Sequence, residues 1–505
     1  MNRPLLLCDY LSESAQRLPD KVALVCERGR FTYLALDRAA DALAGALARR
    51  GVARGDRVVV FGGNSAEVVI SFWAVLKANA VAVLVNPLTR ADKLAYLLQD
   101  SGAAVLIADA SRASELARLA PGARAPCGLL VYGEGRGSFE QALQEGEPPP
   151  PRRCIDADLA ALAYTSGTTG EPKGVMLTHA NMLAAATSVS TYLRIAEDEV
   201  ILCALPLAFT YGLYQMIMAF GAGARLVLER SFAFPVQVMQ RVVGEAATGF
   251  PGVPSMFATM GDLKGLDQCD FSNIRHVTNA AAALHPKHID MLRRTFRSAR
   301  IYSMYGMTEC KRVSYLPPED LAHKPASVGI AIPNTEVWLV DEDGRRLGPH
   351  RTGRLVVRGA TVMRGYWRKP AETAEKLRPG PLPGELVLYT DDYCRMDEDG
   401  YLYFVGRMDD IIKSRGEKVP PKEVEDALLA HPGVKEAAVI GVADERLGQA
   451  VKAFVVAASG AQLAERELRM TCHERLESFM VPRDIVVVPE LPKGPSGKIQ
   501  KGRLA

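Results

Sequence analysis

The chain has 505 residues, 48% of them hydrophobic and 24% charged, a balance that excludes disorder and collagen-like structure and leaves room for more than one domain. Its 61 basic and 58 acidic residues give a net charge of +3 with the signs interspersed, so neither nucleic acid nor a bulk membrane surface is an expected partner. No stretch approaches the ~18–20 continuous apolar residues of a membrane helix. Near the N-terminus a four-residue apolar run turns acidic at once, unlike a secretory signal. Nine scattered cysteines without a CxxC read as reduced thiols in a cytoplasm. His285 and His288 lack Cys or carboxylate neighbours at metal-site spacing, so no zinc site is expected there.

In chain order, residues 35–50 place apolar side chains at helical spacing, and 57–63 (RVVVFGG) read as a buried strand. A helix over 65–80, a strand over 81–87 and a strand over 103–109 follow. Strand, helix and strand at these spacings predict layered α/β structure with largely parallel sheets. The Pro-rich stretch ending at Pro148–Pro151 reads as a surface connection. From about residue 335, TEVWLVDEDGRRL, GRLVVRG and GYLYFVG read as short strands with Asp-Gly turns, as in antiparallel hairpins. A helix from Pro421, strands over 436–444 and 451–457, and a helix around 463–478 then close the chain as a compact α+β unit.

The strongest chemical signal is residues 164–175, YTSGTTGEPKGV, between the apolar strand 159–163 and a strand that runs into a helix. Thr165, Ser166, Thr168 and Thr169 offer hydroxyl donors, Gly167 and Gly170 let backbone N–H groups converge on an anion, and Lys173 adds a positive charge. That set suits a polyphosphate. It is not a Walker A loop, because Pro172 precedes the lysine and no Ser or Thr follows it. A plain Ser/Thr/Gly surface turn is the bland alternative.

This stretch resembles the signature of the adenylate-forming superfamily, which includes acyl-CoA synthetases, aryl acid ligases, peptide-synthetase adenylation domains and firefly luciferase. The likeness covers essentially the whole chain, because further motifs follow in the family's order. In Tyr305-Gly306-Met307-Thr308-Glu309, a carboxylate beside a hydroxyl and a glycine is a reasonable Mg²⁺ and phosphate station, and alone it would serve equally as a helix N-cap. The resemblance implies that Tyr305 stacks on adenine, Thr308 touches the α-phosphate and Glu309 holds Mg²⁺. Asp392 matches the family's ribose-binding aspartate, and Arg407 an arginine that contacts ribose or phosphate. Asp391 stands where the family usually has Gly, a departure that would add negative charge near the nucleotide. Asp409 matches the hinge before a mobile small domain, and Gly416 the loop that this domain presents to the thiol. Of two lysines near the end, the pattern selects Lys498 as the residue delivered to the carboxylate and α-phosphate, with Lys493 a bystander.

The acid pocket is less legible. Phe209 and Tyr211 resemble the family's aromatic positions lining the acyl pocket and thiol tunnel. Thr210 stands where amino-acid-activating relatives place an Asp, which disfavours α-amino acids because their ammonium would be buried unpaired. Asn279, Ala280 and Ala281 lie where relatives carry a Gly-Gly-Ala-Pro-like run. The four alanines 280–283 point to a small or flat acid, or equally to ordinary packing. Lys311 and Arg312, unusual after Glu309, either form surface salt bridges or place charge near an acidic substrate or carrier.

These features together imply a large N-terminal domain of stacked α/β sheets with a β-rich subdomain (1–408) and a small mobile C-terminal α+β domain (409–505). The implied reaction joins ATP, with Mg²⁺, to a carboxylic acid as acyl-AMP with release of pyrophosphate. A thiol, coenzyme A or the phosphopantetheine of an acyl or peptidyl carrier protein, then takes the acyl group and releases AMP. With no carrier domain after Lys498, such a carrier is expected to be a separate protein. Coupling to a non-thiol nucleophile, and a luciferase-like oxygenase, are the alternatives.

Overall fold

The computed structural model describes residues 5–119, 128–133, 138–146, 148–165, 171–280, 284, 286–408, 410–414, 417–444, 447–494 and 499–504. The apolar runs of the first half form a six-stranded sheet in the order 128–132, 105–109, 57–61, 81–85, 159–165, 173–178. Neighbours are parallel except for the last pair, an antiparallel hairpin. A nine-stranded sheet lies beside it, with a parallel centre and antiparallel edges.

Two helices join the sheets. Ala66–Lys77 packs on the six-stranded sheet and Thr210–Ala222 on the nine-stranded one. Both are apolar on nearly every face, as helices are when both sides must be buried. Trp73 of the first stacks on Phe220 of the second, with ring centroids 5.8 Å apart. The expected α/β layering is therefore present, and the apolar run 65–80 is a sandwiched helix capped by the Ser65 side chain at Val68 N–H.

Residues 335–407 form the expected antiparallel sheet, built from Thr335–Val340, Thr352–Gly359, Leu377–Pro379, Leu386–Met396 and Leu402–Arg407. The turn joining the last two strands needs Gly400, whose φ of +83° is strained for a side-chain-bearing residue.

The C-terminal sheet draws only on residues from Ile412 onward. Its strand Gly448–Ala457 alternates with period two. Val451, Ala453 and Val455 pack on the helices Pro421–Leu429 and Glu465–His473, while Phe454 and Val456 face Leu491, Ile499 and Leu504. The second of those helices ends at His473 rather than near 478. Lys287 donates to the Val434 carbonyl at 2.6 Å, and Lys435 pairs with Asp262, tying this unit to the large one.

Two histidines make the fold sensitive to acid. His179 accepts from Leu7 N–H through Nδ1 at 3.1 Å, and burial pushes it down to about 4. His276, buried between Arg275 and Arg300, is likewise pushed down to about 4. Unfolded, each takes up a proton near pH 6.5. The unfolded chain therefore binds more protons between pH 6.5 and 4, and stability present above that window is lost as pH falls through it, by roughly 3 kcal/mol per histidine. Urea midpoints are expected to drop between pH 6.5 and 4.5, and H179Q or H276Q to flatten that part of the curve.

Among the described residues no helix is long and apolar enough to cross a membrane. No group of three or more metal-ligating side chains is present among them, and the eight described cysteines are free, seven of them buried.

Candidate active site

The predicted phosphate loop falls between two antiparallel strands, Leu159–Thr165 and Lys173–Thr178. Thr165, the last residue of the first strand, lies opposite Lys173, the first of the second. Ser166, Gly167, Thr168, Thr169 and Gly170 lie outside the described residues. The Lys173 ammonium sits 5.4 Å from the ring centre of Tyr366. The Tyr366 hydroxyl donates to Glu309 Oε1 at 2.9 Å. Backbone pairing sets this geometry: residues 364–367 run alongside the second strand, with Met176 N–H donating to Gly365 and Trp367 N–H to Gly174. Sequence reading missed Tyr366, since nothing in MRGYWRKP shows which strand it joins.

Tyr305 ends the strand Arg300–Tyr305, and the chain returns antiparallel at Ser314–Leu316. Thr308–Cys310 is a single 3₁₀ turn, so no α-helix starts at this motif and the N-cap alternative falls away. The loop folds back on itself. A Cβ on Gly306 would stand 2.7 Å from the Lys311 carbonyl oxygen and 2.9 Å from Arg312 Cα. G306A must therefore push two backbone segments apart, costing about 1–3 kcal/mol. Its urea midpoint is expected to fall, and ATP-dependent activity to fall with it as Thr308 and Glu309 are displaced.

Asp392 and Arg407 are paired directly across the strands Leu386–Met396 and Leu402–Arg407. Arg407 Nε lies 3.8 Å from Asp392, and the Tyr305 hydroxyl donates to the other oxygen of the same carboxylate. Burial, and then the Asp392 charge, raise the Tyr305 hydroxyl well above its ordinary range. Burial and Glu309 do the same to Tyr366. Both phenols are thus donors to carboxylates at neutral pH. Asp391 does not add uncompensated negative charge as its sequence position implied. Lys376 pairs with it, and Arg407 and Arg354 lie 3.6 and 3.8 Å away.

Glu309 accepts the Tyr366 hydrogen bond, and no cationic side chain pairs with it among the described residues. A carboxylate oxygen of this kind fits a hard, oxygen-preferring ion such as Mg²⁺.

Phe209 immediately precedes the helix Thr210–Ala222. From its first turn the Tyr211 hydroxyl donates to the Thr278 carbonyl at 2.9 Å, beside the buried strand end at Asn279 and Ala280. Ala281 and His285 lie outside the described residues.

Among the described residues Lys311 and Arg312 form no surface salt bridges. They are 5% and 2% exposed and make no ion pair among the described residues. The Lys311 ammonium lies 4.5 Å from the Tyr214 ring centre and 5.6 Å from that of Tyr211, which Arg312 approaches to 5.1 Å. Arg312 Nε is buried without a hydrogen-bond partner. Burial, reinforced by Arg312, pushes the Lys311 ammonium well below its ordinary value. Desolvated ring contacts contribute about 2 kcal/mol or somewhat more each, against the several kcal/mol it costs to bury each ion unpaired.

Asp409, Gly416 and Lys498 also lie outside the described residues. Next to Lys498, Ile499 pairs with Lys493 in an isolated bridge and packs against the C-terminal sheet. Lys493 itself is held by Glu436 at 2.8 Å.

A family model described as AMP-binding enzyme matches residues 11–367, and one described as AMP-binding enzyme C-terminal domain matches 423–498. A feruloyl-CoA synthase of Amycolatopsis sp is 35% identical over 94% of this chain and 93% of its own. A long-chain-fatty-acid–CoA ligase of Bacillus subtilis (strain 168) is 31% identical over 99% of this chain and 94% of its own. The crystal structure of the anthranilate CoA ligase AuaEII with anthranoyl-AMP superposes with a TM-score of 0.91 at 28% identity, covering 99% of this chain and 97% of that one. The chain belongs to the AMP-binding enzymes of the adenylate-forming superfamily, and it is an AMP-forming acid–thiol ligase that uses ATP to activate a carboxylic acid before thioester formation.

Proposed function

We propose that coenzyme A is the acyl acceptor of this ligase, and that the residues around Glu309 and Asp392 carry the adenylation step. One observation carries the reading: the hairpin bearing Thr165 and Lys173 and the turn bearing Thr308 and Glu309 meet at Tyr366. In this assignment residues 165–170 and Lys173 cradle the phosphates, and Thr308 contacts the α-phosphate. Asp392 and Arg407 hold the ribose, with Tyr305 and Ala281 against adenine. Phe209, Tyr211, Asn279 and Ala280 line the acid pocket.

The substrate carboxylate attacks the α-phosphorus as it stands, and the bridging oxygen leaves with pyrophosphate. Charge accumulates on the phosphates, so the catalytic work is positioning and neutralisation by Lys173, Lys498 and backbone N–H groups. Glu309 would hold Mg²⁺, which when bound supplies further charge neutralisation there. Residues 409–505 act as a lid that turns about Asp409. In one position it brings Lys498 to the reacting carboxylate, and in the other it brings the loop at Gly416 to the thiol tunnel.

The relatives named as CoA ligases support coenzyme A as acceptor, with a separate carrier protein as the alternative. The described cysteines, free and mostly buried, support a cytoplasmic setting. The test supplies the enzyme with MgATP and aryl, short-alkyl, long-alkyl and amino acids, following pyrophosphate and AMP with and without coenzyme A. Sustained AMP formation that needs both an acid and coenzyme A is the expected result. A single-turnover burst of pyrophosphate that coenzyme A cannot relieve would transfer the acceptor role to a carrier, and no pyrophosphate with any acid would overturn the assignment.

A further inference from the structure

We propose that the acid this enzyme activates is a dicarboxylic acid, whose second carboxylate is held by Lys311 and Arg312 while the first is adenylated. The inference rests on the reading of Tyr211 as an acid-pocket residue. Lys311 and Arg312 are adjacent like charges, each more than nine-tenths buried, and both lie against the Tyr211 ring. Neither has an ion pair or a side-chain hydrogen bond among the described residues, and Arg312 Nε is a buried donor with nothing to donate to.

Elsewhere this fold compensates such charges. Lys77, whose side chain is 8% exposed, is paired with Asp37 at 2.6 Å and Asp41 at 2.5 Å. The carboxylates near Lys311 and Arg312 in the chain and the site are engaged elsewhere, Glu309 with Tyr366 and Asp392 with Tyr305 and Arg407. Arg312 is therefore a charge the polypeptide leaves unbalanced, with the basic Lys311 amine next to it, beside the ring read as a wall of the substrate pocket.

The chemistry of the pair selects the ligand. A planar guanidinium fork matches a carboxylate through two parallel hydrogen bonds, and the ammonium adds a second point charge. Gly306 supplies the placement. Because it has no side chain, the return limb of the loop packs onto the outgoing limb, so the cations stay beside the motif that carries Glu309. In the reaction one carboxylate oxygen forms the bond to the α-phosphorus as the bridging oxygen departs with pyrophosphate. The second carboxylate makes and breaks no covalent bond.

The test measures acid-dependent pyrophosphate release by the full-length enzyme for matched sets. Hexanoate, adipate and adipic monoamide form one set; benzoate, isophthalate, terephthalate and their monoamides form another; longer α,ω-diacids are set against the corresponding mono-acids. At least one diacid is expected to exceed both its mono-acid and its monoamide by about 10-fold or more in kcat/KM, the effect of a charge-assisted contact the analogues lack. K311M and R312M are each expected to lower that preference by a similar factor, chiefly through KM for the acid, and R312K to recover part of it.

Mono-acids preferred throughout, an unchanged preference ratio in folded variants, or an effect on KM for coenzyme A instead would each overturn the inference while leaving the ligase reading intact. The wild-type comparison decides even where a variant does not fold. No pyrophosphate with any acid would overturn the adenylation roles first, and this inference with them.

Discussion

Replacing Lys498 by Ala is expected to slow acyl-AMP formation by about 10²–10³-fold, the size of effect seen when one preorganised donor to a developing charge is removed. In the proposed mechanism the lysine approaches only when the lid is in its adenylating position, so the loss should fall on kcat rather than on KM for ATP. Thioester formation from chemically prepared acyl-AMP and coenzyme A should change little, because that half-reaction uses the other lid position. The substitution should leave the fold intact, since the neighbouring Ile499 keeps its packing on the C-terminal sheet. Single-turnover pyrophosphate release and AMP release from prepared acyl-AMP are the two measurements. Equal losses in both would remove Lys498 from its assigned role.

Asp392→Asn is expected to reduce kcat/KM for ATP by about 10–100-fold, as the ionised acceptor proposed for the ribose hydroxyls becomes a neutral one. The amide keeps the side chain's shape and an oxygen for the Tyr305 hydroxyl. Arg407 retains Asp391 as a counter-charge at 3.6 Å, so the local ion network stays balanced. Steady-state kinetics varying ATP and acid separately should place most of the loss on ATP. A loss borne mainly by the acid would move Asp392 out of the nucleotide site.

Much of this enzyme is legible in its residues because the relevant signals are local. Period-two alternation in VKAFVVA dictates which residues face the helices Pro421–Leu429 and Glu465–His473 and which face the chain's end, and the structure follows it. The largely apolar run around Trp73 favours burial on both sides and receives it. The Ser/Thr/Gly/Lys content of 164–175 and the order of the motifs that follow identify the superfamily. The near-neutral, interspersed charge likewise gives no reason to expect nucleic acid as a partner, and no stretch of the sequence has the length and apolarity of a membrane helix.

Only the tertiary structure decided what depends on residues distant in sequence. Tyr366 joins the site because residues 364–367 pair with the strand at Val175, a match between two backbones that neither segment encodes alone. Asp391 is neutralised because its strand lies within reach of Lys376, Arg354 and Arg407. Lys311 and Arg312 look like surface charges in sequence, since long cationic side chains are normally solvated. The close packing at Gly306 and the tyrosines of the helix Thr210–Ala222 bury them instead. Sequence periodicity and motif chemistry thus determined the α/β layers and the reaction class. Which charges are paired, and which are left for a substrate, was decided by long-range packing, because the electrostatic energy of a side chain depends on its three-dimensional neighbours.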